Sequence, residues 1–127
     1  MLSLEQIKSH CKLELDETEE DTLLHAYARA ARRQVEKDSG RRLYWVTLPA
    51  DAPADATGDE AYLRGLLPID APENALPVTD DVALAMLLLV AHWHRNREPV
   101  TESTSNGTKS LPLAYDALVQ PYRWFTL

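Results

Sequence analysis

The chain has 127 residues, 45% of them hydrophobic, which predicts a single domain (residues 1–127) large enough to bury its own core. Its 13 basic and 20 acidic residues give a net charge of −7, which argues against general DNA binding because phosphate neutralisation dominates that affinity. The single cysteine, Cys11, excludes an intramolecular disulfide and a cysteine metal cluster. Charged residues within the first eight positions are unlike a signal peptide, so we expect synthesis in the cytoplasm.

The first predicted element is a short helix. Ser3 stands three residues before Gln6, which is the spacing of a capping box. Apolar residues follow at helical spacing as far as Cys11, and we expect the helix to end near Lys12. We interpret Cys11 as a small buried apolar residue, because the sequence shows no neighbouring group that would activate its thiol.

An acidic run, Asp16–Asp21, leads into a long second helix. Thr18 is the predicted N-cap, and the acidic side chains suit the positive end of the helix dipole. The helix is predicted over Glu19–Ser39, with Gly40 as a natural C-terminal cap. A calcium loop is the alternative for the acidic run, but the run lacks the glycine and the ligand spacing of such loops.

The second helix combines an apolar stripe with a basic face. Helical spacing predicts a core-facing stripe of Leu24, Tyr27, Ala28, Ala31 and Val35. The other face, with the two positions past Gly40, holds Arg29, Arg32, Arg33, Lys37, Arg41 and Arg42. Two interpretations stay open: a cationic helix end exposed to solvent, or a surface that contacts an acidic neighbour such as another copy of this chain.

The middle of the chain carries weaker signals. Leu43–Leu48 is aromatic and β-branched, which predicts a short strand or extended segment. Pro49–Asp59 is rich in Pro, Ala and Asp and is predicted to be an exposed loop. Tyr62–Leu67 fits either one helical turn or half of a hairpin, and Pro68–Pro77 reads as a link.

The most apolar stretch, Val82–Ala91, contains ten apolar residues without a break. It is too short to span a bilayer, which takes about 20 residues, and its Ala, Leu and Met residues favour a helix. Thr79 is the predicted cap of a helix over Thr79–Arg97, which must end before Pro99. A run without a polar face predicts burial on all sides, by other helices or by a partner subunit, so we expect Leu88→Asp to bury an unpaired carboxylate at a cost of several kcal/mol.

The C-terminal third is predicted to hold an arm, a helix and a tail. Thr101–Ser110 contains no apolar residue and includes the turn pair Asn106-Gly107, which is typical of a mobile arm. A last helix is predicted over Leu111–Gln120. Its predicted inward-facing residues are Leu113, Ala117 and Leu118. The aromatic tail, with Trp124 and Phe125, must fold back or dock on a partner, and we expect the arm and the tail to become ordered on assembly.

The sequence offers no catalytic or metal-binding pattern. His92 and His94 are two residues apart, so on a helix they point about 200° away from each other and cannot share a metal ion. The chain has no Gly-rich phosphate loop and no H-E-x-x-H motif. We therefore expect neither an enzyme nor a bound cofactor or metal.

Four blocks of the sequence together resemble the head–tail connector proteins of long-tailed bacteriophages, the head-completion adaptors that bind below the portal. The resemblance covers residues 2–47 and 76–123, and its last two blocks are the most specific. The family usually has Tyr where this chain has His94, a difference that leaves the helix intact. The blocks are LSLEQIKSHCKLELDETEEDTLL, AARRQVEKDSGRRL, LPVTDDVALAMLLLVAHWHRNRE and LPLAYDALVQPYR.

The resemblance implies a mainly α-helical subunit, a small bundle around one buried helix with long loops and a short strand or hairpin. It also implies a homo-oligomeric ring, expected to be a dodecamer, at the virion head–tail junction after synthesis in the bacterial host cytoplasm. The portal protein and a downstream connector or tail-terminator protein would be its partners. DNA would pass through the channel without specific binding, and no membrane would be involved. Members are also labelled as DNA-packaging proteins.

Two functions of different classes follow for this chain. The first is a structural ring adaptor that extends the portal channel. The second is a DNA-packaging accessory factor that binds nucleic acid through the basic helix face. The candidate subunit or portal interface in the first case consists of Arg29, Arg32, Arg33, Arg41, Arg42, Arg95, Arg97, Asn106, Gly107, Trp124 and Phe125.

Overall fold

The computed structural model describes residues 2–14, 16–96 and 113–123, and within these ranges the protein is mainly helical, as predicted. None of the helices in these ranges is long and apolar enough to cross a bilayer. Short 3₁₀ turns lie at Ala56–Gly58 and Gln120–Tyr122. The main elements are α1 (Leu4–His10), α2 (Asp21–Ser39), β1 (Arg42–Tyr44), α3 (Glu60–Arg64), β2 (Ala75–Pro77), α4 (Asp80–Arg95) and α5 (Leu113–Val119).

The start of α1 is the predicted capping box. The Ser3 hydroxyl accepts a hydrogen bond from the Gln6 backbone N–H at 3.1 Å, and the Gln6 side chain accepts one from the Ser3 N–H at 3.1 Å. The helix ends at His10, slightly before the predicted end, because Lys12 adopts a positive φ of 61° that an α-helix cannot contain.

The second helix begins later than predicted. Asp21 is its first residue, and the backbone N–H of Asp21 donates to the Thr18 carbonyl at 3.2 Å, so Thr18 belongs to a preceding turn and the predicted cap is wrong. Asp21 pairs with Lys8 of α1 and Glu20 lies against His94 of α4, and the Glu20 side chain makes no capping hydrogen bond to the first turn of α2. The predicted end is confirmed: Gly40 caps the helix in the left-handed region with φ 69°.

The core lies where α2, α4 and α5 pack together, with α1 against the same cluster. The predicted α2 stripe is confirmed, because four of its five residues are buried and Tyr27 is half-buried against the Trp93 ring, 6.1 Å between centroids. The buried members of the cluster on α4 are Val82, Ala85, Met86, Leu89 and Val90.

The cap and the helix predicted around Val82–Ala91 are confirmed. The Thr79 hydroxyl accepts a hydrogen bond from the Val82 N–H at 3.3 Å, and α4 ends at Arg95 with Asn96 as its C-cap. Of the two alternatives for burying this run, coverage by the described helices of the same subunit is wrong, because Leu84 is 41% exposed and Leu88 is only half-buried. Coverage by a partner subunit stays a prediction. The subunit's other helices cover one side of α4 and leave an apolar face partly in water.

The sheet consists of two three-residue strands, β1 and β2, which run parallel with Leu43 opposite Leu76. The strand predicted over Leu43–Leu48 is therefore shorter than expected, and its partner β2 lies in a segment predicted to be a link. The helical alternative for Tyr62–Leu67 is confirmed as α3, and the described ranges contain no hairpin at this place.

The predicted inward face of the last helix is wrong for two of its three residues, and only Leu118 packs against the core as expected. Leu113 is 87% exposed and Ala117 is exposed, whereas Tyr115 is fully buried and Val119 is 1% exposed. The helix is rotated because burial of the large Tyr115 ring removes more apolar surface from water than burial of Ala117 would. The Tyr115 hydroxyl also finds a partner inside, since it donates to the Asp38 carboxylate at 2.6 Å.

Tyr115 makes the stability of the protein sensitive to alkaline pH. Burial first, and then the hydrogen bond to Asp38, raise the pKa of Tyr115 well above its ordinary value. The folded state therefore holds the phenolic proton more tightly than the unfolded chain, whose tyrosines have a pKa of about 10. The contribution of this raised pKa to the free energy of unfolding is fully present below about pH 10 and is lost as the pH rises above that value.

We expect Tyr115→Phe to lower the free energy of unfolding by about 1–3 kcal/mol at neutral pH, because Asp38 loses a buried donor. Above about pH 10 the stability of this variant should decline less steeply than that of the wild type. Urea unfolding from pH 7 to pH 11 measures both effects. Tyr62→Phe in α3 is the matched loss of a phenolic hydroxyl elsewhere in the chain. An unchanged slope in Tyr115→Phe would contradict the assignment.

Candidate assembly surfaces

The basic face of α2 is a surface with one anchored and two exposed arginines. Arg29, Arg32 and Arg33 line a cleft of 210 Å³ together with Glu36. The Arg32 guanidinium lies 5.5 Å from the centre of the Trp45 ring, and its Nε is 3.7 Å from the Glu36 carboxylate. Arg29 and Arg33 are exposed. This arrangement holds Arg32 at the centre of the basic face, with Arg29 and Arg33 exposed to solvent on either side of it.

Arg41, which the sequence places with the surface arginines, lies inside the subunit. It is 8% exposed, its guanidinium donates to the Ala75 carbonyl at 3.1 Å and the Tyr122 carbonyl at 3.3 Å, and it pairs with Glu60 at 3.2 Å. Burial lowers the pKa of Arg41, and the Glu60 carboxylate partly offsets that effect. Arg41 therefore joins β2, α3 and the turn after α5.

The remaining described arginines of the predicted interface lie on two other surfaces. Arg42 is exposed on β1 and lines a separate cleft of 410 Å³ with Asn74 and the end of α2. Arg95 is exposed at the end of α4, beside a third cleft of 220 Å³. The residues lining that third cleft are His10, Cys11, Lys12, Ala91, His94 and Arg95.

Cys11 behaves as the sequence predicts. It is half-buried and packs against the core cluster. Burial raises the pKa of its thiol, an effect that Arg95 partly opposes and Glu20 reinforces. A raised thiol pKa disfavours the nucleophilic thiolate, so the interpretation as a small apolar residue agrees with its environment.

Some side chains of the acidic run pair with residues of other helices, and the others are exposed to solvent. Asp21 pairs at 2.9 Å with Lys8, whose side chain is 5% exposed, and Glu20 lies 2.8 Å from the ring Nε2 of His94. Lys8 was missed by the sequence analysis, although it follows Leu4 by four residues and so lies on the inward side of α1. Asp16, Glu17 and Glu19 are exposed.

Two surfaces of opposite charge thus lie along α2. The acidic surface (Asp16, Glu17 and Glu19) precedes its first turn, and the basic surface (Arg29, Arg32 and Arg33) lies in its second half. At 1.5 Å of rise per residue, about 20 Å separates Glu19 from Arg33. The two surfaces are too far apart to neutralise each other within one subunit, since the Debye length is about 8 Å at physiological salt.

Five residues of the predicted interface, Arg97, Asn106, Gly107, Trp124 and Phe125, lie outside the described residues, as do the arm and the tail. Within the part of the chain that the structure describes, no group of three or more His, Cys, Asp or Glu side chains is arranged to hold a metal ion. Of the two histidines in α4, His92 is buried and His94 lies against Glu20.

Comparison with protein families identifies the subunit. The family described as phage gp6-like head-tail connector protein matches residues 1–123. The chain belongs to this family of head–tail connectors. No curated protein and no solved structure matches the connector. As a member of this family, the connector is a structural protein of the virion head–tail junction that interacts with other phage head and tail proteins.

Proposed function

We propose that the protein, one domain over residues 1–127, forms a homo-oligomeric ring below the portal, extends the DNA channel and provides the docking surface for the next connector or tail-terminator protein. The basic surface on α2 and the acidic surface just before its first turn are the observation that supports this proposal. A contact between two different surfaces is heterologous, and it closes into a ring when the rotation between neighbours divides a full turn. Twelve copies is the ring size that the resemblance implies.

In this proposal the basic surface of one subunit meets the acidic surface of the next. Arg29 and Arg33 are exposed and approach the neighbour, while Arg32 is positioned between them by Trp45. Exposed ion pairs contribute only about 0.2–1 kcal/mol each. The charges therefore set the orientation of the neighbours and the rate at which they meet, and apolar contacts must supply most of the affinity.

The net negative charge of the chain favours an adaptor over a packaging factor that binds nucleic acid. A net charge of −7 repels phosphate, which suits a channel through which DNA passes without specific binding. The burial of Arg41 and its pairing with Glu60 remove one of the five arginines on which nucleic-acid binding would depend. The proposed role needs no catalytic step, cofactor or membrane.

Reversing the two exposed arginines tests the proposal. We expect Arg29→Glu with Arg33→Glu to weaken ring formation, most strongly at low salt, and to leave the melting temperature of the subunit within a few degrees of wild type. Adding Glu17→Arg and Glu19→Arg to the same chain should restore assembly, because the signs on both sides are then exchanged. Negative-stain microscopy and sedimentation across a salt series measure the rings.

The control exchanges the same amount of charge elsewhere, with Lys12→Glu and Arg123→Glu, and should assemble as the wild type does. If the variant with Arg29→Glu and Arg33→Glu forms rings as well as the wild type at every salt concentration, the proposed contact is wrong. Binding of the wild type to duplex DNA at physiological salt, with a steep salt slope that this variant loses, would favour the packaging alternative instead.

A further inference from the structure

One face of α4 is apolar and only partly covered. Leu84 is 41% exposed, and Leu87, Leu88 and Ala91 are half-buried. Their spacing places them on one stripe of the helix, opposite the stripe that contains the fully buried Leu89. This apolar face (Leu84, Leu87, Leu88 and Ala91) is a continuous apolar part of α4 that the described helices leave partly accessible to another molecule.

The apolar face has opposite charges at its two ends. Asp80 and Asp81 are exposed at its N-terminal end, and Arg95 is exposed at its C-terminal end. The aspartates are held in place, because Asp80 accepts a hydrogen bond from Thr57 at 2.9 Å and Asp81 accepts one from Tyr122 at 3.0 Å. A face with one sign of charge at each end is complementary to a copy of itself turned end for end.

From this pattern we propose that α4 is a contact between two copies of the chain, with the two helices antiparallel across a two-fold axis. The axis passes between Leu87 and Leu88, so that each of them faces the other in the second copy. Leu84 then faces Ala91, a large residue against a small one, which lets the helices approach closely. At both ends Asp80 faces Arg95.

The parallel arrangement is disfavoured by the same charges. It would place the aspartates of one copy against the aspartates of the other, and Arg95 against Arg95, so that both ends repel. A second copy of the chain therefore has one complementary way to cover this face. The two-fold contact is isologous and uses neither charged surface of α2, so it is separate from the proposed ring contact.

The size of the contact sets its strength. Four side chains on each helix cover only a few hundred Å², roughly, whereas a specific and stable interface buries at least about 1,200 Å² in total. The contact alone therefore gives a weak dimer, which forms at high protein concentration and loses affinity when the end charges are screened. Trapping by a disulfide is the measurement suited to such a weak contact.

Single cysteines introduced into a Cys11→Ser background test the geometry. We expect Leu88→Cys to form disulfide-linked dimers with itself, because the two residues meet at the axis. Leu84→Cys should not link to itself, since its two copies lie seven positions, or about 10 Å, apart along the helix axis. A mixture of Leu84→Cys and Ala91→Cys should link to each other at least tenfold faster than either links to itself.

Charge exchange provides the second arm of the experiment. Arg95→Glu in the Leu88→Cys protein should reduce the rate of cross-linking several-fold at low salt, and Asp80→Arg in the same chain should restore it. Arg29→Glu with Arg33→Glu should leave cross-linking unchanged, so loss of the ring and loss of this dimer are distinguishable.

Equal self-linking of Leu84→Cys and Leu88→Cys would show a parallel contact and overturn the proposal. Absence of linking in all variants would also overturn it, and would point to the chain's own residues 97–112 or another protein as the partner of this face.

Discussion

Leu89→Asp is expected to leave the protein unfolded or insoluble, whereas Leu88→Asp, its immediate neighbour, is expected to fold, which reverses the expectation from the sequence because Leu88 is only half-buried. Leu89 has no exposed surface and lies in the core cluster, so an aspartate there would be a buried charge without a partner. Such a charge costs several kcal/mol, against a stability of about 5–15 kcal/mol for a typical domain. At position 88 the carboxylate can turn to water, because that residue is only half-buried.

Circular dichroism melting curves and the soluble fraction after expression measure this difference. Leu89→Ala is the intermediate control and should lower the free energy of unfolding by about 2–5 kcal/mol through the cavity it leaves. The Leu88→Asp protein should fold and yet lose the self-contact proposed for α4, since its charge lies at the two-fold axis. Soluble Leu89→Asp protein with a wild-type melting temperature would contradict the assignment of the core.

Arg41→Ala is expected to produce the second large effect. The substitution removes two hydrogen bonds to main-chain carbonyls and one of the two arginine partners of Glu60, which keeps Arg64 at 3.0 Å. Breaking a buried ion pair costs about 3–5 kcal/mol, and we expect the lower end of that range because the Glu60 side chain is 34% exposed and can be rehydrated. Arg41→Lys should recover only part of the loss, since an ammonium cannot reproduce the planar fork of the guanidinium.

Arg42→Ala is the matched control, because Arg42 is the next residue in the chain and is exposed. Its effect should stay within about 0.5 kcal/mol. Guanidinium chloride unfolding compares the two variants, and the fluorescence of Trp45 and Trp93 follows the loss of packing around α2. If the two alanine variants are equally stable, the bonds from Arg41 to β2, α3 and the turn after α5 contribute nothing to the free energy of unfolding.

The sequence by itself determined the elements whose signals are local. The capping box at Ser3, the Gly40 cap of α2 and the Thr79 cap of α4 each depend on residues within one helical turn, and all three are present in the structure. The α2 stripe could be predicted for the same reason, because helical periodicity repeats over five turns. The same periodicity places the basic residues of α2 on its other face. The resemblance to head–tail connectors comes from the four sequence blocks, and the match over residues 1–123 confirms it.

Only the tertiary structure decided which side chains meet across distant parts of the chain. Arg41 is in the interior because Glu60 and the Ala75 carbonyl converge on it, and neither is near it in sequence. The rotation of α5 follows from the meeting of Tyr115 and Asp38. Strand β2 is three residues long and exists because β1 lies beside it. The ten apolar residues Val82–Ala91 identify a helix from the sequence alone. How many sides of that helix the rest of the subunit covers depends on tertiary packing, and Leu84 on the uncovered side is 41% exposed.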